Sequence, residues 1–448
     1  MPASVVPQSA LPWHRREDTW AILVALALVL GATAAFFAGS AGLLGFAGYS
    51  VPTWSGGFHG AAAALASAPL GPVGLLVLFG AAFALAATVM RWNTLEYVVG
   101  FAILFGLAVV VTALGSNQLL RSWQLETPLL ALVLGMAIGN AVTLPAWLQA
   151  ALRTEFYVKV GIVLMGATLP FTVILQAGPL AIAQATVVAV TTFFAIYLAA
   201  TRLFGLDPRF GATLGAGGSI CGVSASIAIG GACRAEKEHV SVAISLVVVW
   251  AVAMIFVLPA AARHLGLAAG PAGAWIGTSE FADAAGFAAA ATLGDDRAVK
   301  TFTLMKVVGR DMFVGIWALV VAFLSVTVWE RKRAAEAERV GVGEIWRRFP
   351  KFVLGFFAAS LLVTVVLASL DAHIGTRFSK EVLGPVKALR GWAFTFTFLS
   401  IGLTTRFRQL ARVGWRPLAA FAVGVLVNVP LGYWLSTRVF ASYWLAVK

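Results

Sequence analysis

The sequence predicts an all-α polytopic membrane protein with about eleven transmembrane helices and two Gly-rich segments, interrupted or re-entrant, set in inverted repeats. Three observations carry this. The chain of 448 residues is 60% hydrophobic and only 11% charged, against roughly 45–50% and about 25% in soluble domains. Its apolar residues fall into runs long enough to span a bilayer. Two further runs, 209–233 and 272–293, have membrane length but are too rich in Gly, Ser, Thr and acid to be plain spans.

The apolar spans lie near 20–37, 71–89, 95–114, 125–143, 155–175, 180–203, 240–262, 302–328, 346–370, 386–404 and 417–440. The first is read as a retained helix, because many more follow and no small-residue cleavage site is evident. The net charge of +13 comes mainly from short loops. With both Gly-rich segments returning to the side they enter, the basic loops 329–351 and 405–416 share one face with His14, Arg15 and Arg16. That face is read as cytoplasmic, which puts the N-terminus inside. A nucleic-acid partner is excluded on the same ground. Two cysteines without CxxC spacing and five scattered histidines leave no metal site or cofactor to expect.

Repetition divides the chain. Gly166 and Gly402 lie 236 residues apart, and the same offset pairs Thr168 with Thr404, Phe171 with Phe407 and Gly178 with Gly414. "GAGGSICGVSAS" from Gly215 resembles "GAWIGTSEFADA" from Gly273. Together they give N-terminal scaffold helices over 1–124, a first repeat over 125–265 containing 209–233, and a permuted second repeat over 272–445 containing 272–293. The inversion holds only if each Gly-rich segment is a hairpin, one opening on each side of the membrane.

The stretch Gly215–Gly231 holds six glycines, three serines and a cysteine. Irregular backbone at membrane depth is tolerated where protein buries it or water lines it, and glycine permits the turn. Half-helix N-termini there present free N–H groups to an anion. Candidate substrate-binding residues are Gly217, Gly218, Ser219, Cys221, Gly222, Ser224 and Ser226, faced by Gly277, Thr278 and Ser279 of the second segment. The competing reading of the glycines is close helix packing.

Glu280 and Asp283, three apart, are expected on one helical face, and with Asp311 are candidate coupling residues, since ionisable groups at membrane depth mark pathways, pairs or proton sites. Lys306 and Arg310, four apart, offer positive charge to an oxyanion. Alternatively they form internal ion pairs, such as Lys306 with Glu280 or Arg310 with Asp283. No nucleophile–base constellation and no phosphate-binding loop occurs, so neither an enzyme nor an ATP-driven pump is expected.

"GAGGSICGVSAS", preceded by "FGLDPR" and followed by "CRAEKEHVSVAISLVVVW", resembles the sulfate-exporter family of the YeiH type. "GIVLMGATL", "GAWIGTS", "SIGLTT" and "VGWRPL" extend the resemblance over about 128–440. That family is similar in turn to bile-acid, auxin and cation–proton transporters. The resemblance implies an elevator-like carrier with a moving core and a scaffold that forms homodimers. It implies export of sulfate, sulfite or a small organosulfonate, coupled to a proton or sodium ion. "EFADAAG" departs from the family pattern of a histidine or asparagine followed by aspartate, which puts ligand and coupling ion in question. A sodium- or proton-coupled organic-anion symporter and an anion channel are the alternatives.

Overall fold

The computed structural model describes residues 12–122, 127–169, 171–233, 235–311, 320–321, 351–406 and 414–447. Most of the basic loops expected at 329–351 and 405–416, and most of the span expected at 302–328, lie outside the described residues. The described residues are helical, with one isolated bridge between Trp54 and Asn117 and no strand. Among the described residues, seven helices are long and apolar enough to cross a membrane, so the class is the expected one.

The chain forms two compact units, interleaved in sequence: Met1–Thr172 with Lys351–Arg406, and Val173–Pro350 with Phe407–Lys448. The repeat boundaries are a different division of the same chain.

The first unit contains α1 (Glu17–Phe37), α2 (Phe58–Ala66), α3 (Leu70–Val89), α4 (Thr94–Gly115), α5 (Gln118–Ser122), α6 (Thr127–Ala141), α7 (Ala146–Ala151) and α8 (Thr154–Thr168). Phe79 and Phe83 of α3, Phe101 of α4 and Tyr157 of α8 form one buried aromatic cluster. Inside it the Tyr97 and Tyr157 hydroxyls meet at 3.1 Å, and Tyr157 donates to the Ala151 carbonyl. An ion pair ties α1 to α8, with Lys159 Nζ 2.8 Å from Asp18; the other Asp18 oxygen accepts from the Lys351 N–H. Asp18→Ala leaves Lys159 largely buried without its nearest partner. It is expected to destabilise the protein by about 3 kcal/mol, read as a lower melting temperature.

Helix α8 ends at Thr168 and α9 (Phe171–Leu198) begins two residues past Leu169. The expected spans 155–175 and 180–203 are therefore redivided. Leu169 is extended because the following Pro170 disfavours helical backbone in the residue before it. Pro179, expected in a loop, sits inside α9.

The second unit continues with α10 (Pro208–Ser219), α11 (Val223–Ala232), α12 (Lys237–His264), α13 (Ala269–Ser279), α14 (Asp283–Ala291) and α15 (Asp296–Thr303). A π-helical turn, Leu304–Arg310, extends α15. The first unit resumes with α16 (Phe352–Ser369), α17 (Ala372–Phe378) and α18 (Gly384–Thr404), and the second closes with α19 (Trp415–Trp434) and α20 (Ala441–Ala446). The start of α10 follows ordinary capping chemistry. Asp207 accepts from the Arg209 and Phe210 N–H groups with Pro208 in the first turn.

Asp295 caps α15, and the Arg297 guanidinium bound to it holds its carboxyl below the usual carboxylate range. Asp295→Ala is expected to cost about 1 kcal/mol. Because the folded pKa is the lower one, this contribution is present at neutral pH and fades as pH falls through that lowered value. Thermal unfolding of the variant and wild type along a pH series checks both points.

Candidate functional site at the hairpin tips

The two Gly-rich segments are hairpins. In the first, Cys233 Sγ just past α11 donates to the Arg209 carbonyl at the start of α10 and lies 3.9 Å from Thr213 Oγ1. The segment therefore returns to where it entered. Helices of 12 and 10 residues are roughly 18 and 15 Å long, about half of a 30 Å hydrocarbon core. In the second, Arg263 near the end of α12 donates to the Thr292 carbonyl at the end of α14. Since α13 starts just after α12 finishes, α14 returns to the entrance of α13.

Helix α12 connects the two hairpins, and its 28 residues run roughly 42 Å. The hairpins accordingly enter from opposite ends of α12. Their tips meet: the Gly222 Cα faces the Phe281 carbonyl so closely that a Cβ there would collide with it. Gly222 has φ +73°, which glycine alone adopts readily.

Lys306 and Arg310 join the tips. The π-helical turn carries both toward them, and both are completely buried. Lys306 Nζ donates to the Ile220 carbonyl at 2.6 Å. Arg310 Nε donates to the Ser219 carbonyl at 3.2 Å. Arg310 Nη1 reaches the Gly277, Thr278 and Glu280 carbonyls at 3.1, 2.7 and 3.0 Å. These carbonyls belong to the ends of α10 and α13. Cations therefore sit at the negative ends of two helix dipoles, whose last carbonyls lack partners within the helix.

This geometry corrects two expectations. Glu280 and Asp283 do not share a helical face, because α13 ends at Ser279, Glu280 is extended and Asp283 opens α14. Lys306 pairs with Asp283, at 3.3 Å, and lies 3.9 Å from Asp311, instead of pairing with Glu280. Arg310 is anchored by backbone carbonyls and not by Asp283.

The other candidate residues have distinct surroundings. Gly217 lies against Ser226 and Val247, Gly218 against Ile196 and Phe421, and Gly277 against Met305; all three permit close approach. Thr278 Oγ1 donates to the Trp275 carbonyl and is 3.4 Å from Ser279 Oγ, both hydroxyls facing Gly432 of α19. Cys221 lies buried at the first tip. The Ser224 side chain lies outside the described set, although its backbone belongs to α11. Glu280 Oε1 accepts from the Phe281 and Ala282 N–H groups.

Several completely buried polar atoms have no hydrogen-bond partner among the described residues: Ser219 Oγ, Ser226 Oγ, Glu280 Oε2, Arg310 Nη2 and Asn428 Oδ1. Native interiors leave few such atoms, and each calls for an explanation. Asn428 was not anticipated from the sequence. Its Nδ2 donates to Thr192 Oγ1 and the Thr278 carbonyl, which fixes the amide beside the second tip. An amide within the apolar run "GVLVNVPLG" was the available signal.

Fold and site thus define a multi-pass, all-α membrane protein whose second unit brings two half-length hairpins together at a buried polar centre. The chain belongs to the family described as conserved hypothetical protein 698, whose model matches residues 99–421. It is 34% identical to a UPF0324 membrane protein of Rhodopirellula baltica over 82% of this chain and 67% of that one. To the UPF0324 membrane protein of Nitrosomonas europaea it is 31% identical, covering 81% and 82%. A Nitratidesulfovibrio vulgaris UPF0324 membrane protein is 33% identical over 80% of this chain, which spans 62% of that relative's length. No solved structure matches.

Proposed function

We propose that the protein is a secondary active transporter that exports a small anion, sulfate, sulfite or a small organosulfonate, across the bacterial inner membrane. The observation that carries this reading is the pair of hairpins entering from opposite ends of α12 and meeting at buried donors without partners among the described residues. Ser219 Oγ, Ser226 Oγ and Arg310 Nη2 supply hydrogen-bond donors at mid-depth, and the uncapped start of α11 at Gly222 adds N–H groups and a positive dipole end. Glu280, Asp283 and Asp311 are the groups through which a proton or sodium ion would be coupled.

The cycle is elevator-like, with the hairpin-bearing unit carrying the site as one body in a homodimer. Inverted repeats are supported by the matched use of two glycines. Gly166 of α8 lies against the Phe356 carbonyl of α16, and Gly402 of α18 against the Leu132 carbonyl of α6.

Thermal stabilisation of the purified protein across sulfate, sulfite, thiosulfate, taurine, bile acids and chloride, with and without sodium, tests the substrate class, because a ligand of the folded state raises its apparent stability. An oxyanion is expected to raise the melting temperature, whereas stabilisation by bile acids alone would remove the reading. Ser226→Ala separates binding from folding. Its hydroxyl has no partner among the described residues, so stability should change by less than about 0.5 kcal/mol, while oxyanion affinity should fall about tenfold, as for loss of one hydrogen bond to a charged group.

A further inference from the structure

The first unit holds a cavity that takes no part in the transport proposed above. Its volume is ≈ 480 Å³, within the roughly 300–1,000 Å³ of small-molecule sites. It lies at the C-terminal end of α1, between a 3-10 helix, Ala41–Gly48, and the π-helical turn Ser379–Leu383 that joins α17 to α18. The wall formed by the 3-10 helix is bare. Gly42 and Gly45 are three apart, which puts them on one face of a three-residue turn, and a Cβ on either would meet nothing within 4 Å.

The opposite wall is charged. Arg377, Lys380 and Glu381 line it. Glu381 pairs with Arg377 at 3.2 Å, whereas Lys380 has no ion-pair partner among the described residues. The charged groups described around the cavity therefore leave one positive charge over. The Arg377 guanidinium also lies 5.8 Å from the centroid of the Phe36 ring at the end of α1, so charge sits beside an apolar surface.

Behind this mouth lies a second cavity of ≈ 140 Å³, which shares Pro385 with the first and is lined by Leu28, Gly31, Phe46, Leu78 and Leu389. No charged residue lines it among those described. Helix α1 has 21 residues and is roughly 31 Å long, close to the ~30 Å of a hydrocarbon core. Phe36 accordingly stands near one membrane face and Leu28 near mid-depth. The two cavities together cover about the depth of one leaflet.

A soluble anion would use only the mouth, and a bare hydrocarbon only the slot. We propose that the pair is a binding site for one anionic phospholipid, with its phosphate at Arg377 and Lys380 and an acyl chain in the apolar slot between α1, α3 and α18. Guanidinium and ammonium groups are ordinary partners of phosphate, and basic pockets between membrane helices take anionic headgroups. The site lies entirely within the first unit and does not depend on the identity of the transported anion.

The full-length protein is delipidated in neutral detergent and titrated with phosphatidylglycerol, with phosphatidylcholine of the same acyl chains, and with inorganic phosphate. Bound lipid is counted by native mass spectrometry, and melting temperature follows stabilisation by the ligand. Arg377→Gln combined with Lys380→Gln removes the charge, and Gly31→Leu fills the slot, where a Cβ meets nothing within 4 Å. Wild type is expected to bind one phosphatidylglycerol at least tenfold more tightly than phosphatidylcholine. The charge variant should lose that preference, and Gly31→Leu should weaken both lipids at least tenfold.

Equal affinity for the two lipids in wild type, or phosphatidylglycerol binding unchanged in either variant, would overturn the site. Inorganic phosphate that stabilises as well as phosphatidylglycerol and is indifferent to Gly31→Leu would show an anion site without a tail, which also overturns it. A dimer that Gly31→Leu disperses while lipid binding stays unchanged would assign the cavity to a second copy instead. Should Gly31→Leu fail to fold, Gly42→Leu fills the mouth from its bare wall and carries the same comparison.

Discussion

Arg310→Ala is expected to abolish transport and lower stability by about 3–5 kcal/mol, the range for breaking a buried charged network. Arg310 donates to Ser219 of the first hairpin and to Gly277, Thr278 and Glu280 of the second, so four carbonyls at two helix ends lose their donor together. Arg310→Lys should not restore function. An ammonium on a flexible stem lacks the planar fork that addresses both tips at once. Hydrogen exchange at 217–224 and 277–284 should quicken together in both variants, alongside a fall in melting temperature. Exchange confined to one tip would show that Arg310 does not couple them.

Gly222→Ala is the second large effect. A φ of +73° with ψ of −115° costs a non-glycine residue on the order of 1–3 kcal/mol, and the added Cβ would strike the Phe281 carbonyl. The tips should be forced apart and transport lost. Gly231→Ala is the control on the same helix. A Cβ there meets nothing within 4 Å, so stability should change by less than about 0.5 kcal/mol. Equal effects in the two variants, measured by thermal unfolding and flux, would argue against a special role for the tip.

The class of protein was legible because composition and span length are one-dimensional properties, and a lipid environment leaves helices as the economical answer for such runs. The hairpins were legible for a similar reason: glycine, serine and charge inside an otherwise apolar run mark broken backbone. Pairing was not legible. The spacing of Glu280 and Asp283 suggested one helical face, but the helix breaks between them. The spacing of Lys306 and Arg310 showed a shared face, yet not that its partners are backbone carbonyls at residues 219–220 and 277–280. Helix ends expose acceptors that carry no side-chain signature, so a cation that serves them looks, in sequence, like one free for a ligand. Asn428 was missed because its role depends on α19 lying beside α13, a tertiary contact that hydropathy does not encode.

Solute counterflow in proteoliposomes is the most direct test of a carrier for small oxyanions. Vesicles loaded with unlabelled sulfate or sulfite are expected to accumulate the labelled anion transiently, with saturation, and Gly222→Ala should abolish the accumulation. Anion flux without trans-stimulation, or no oxyanion flux under any sodium or proton gradient, would contradict a carrier of small oxyanions working through the hairpin tips.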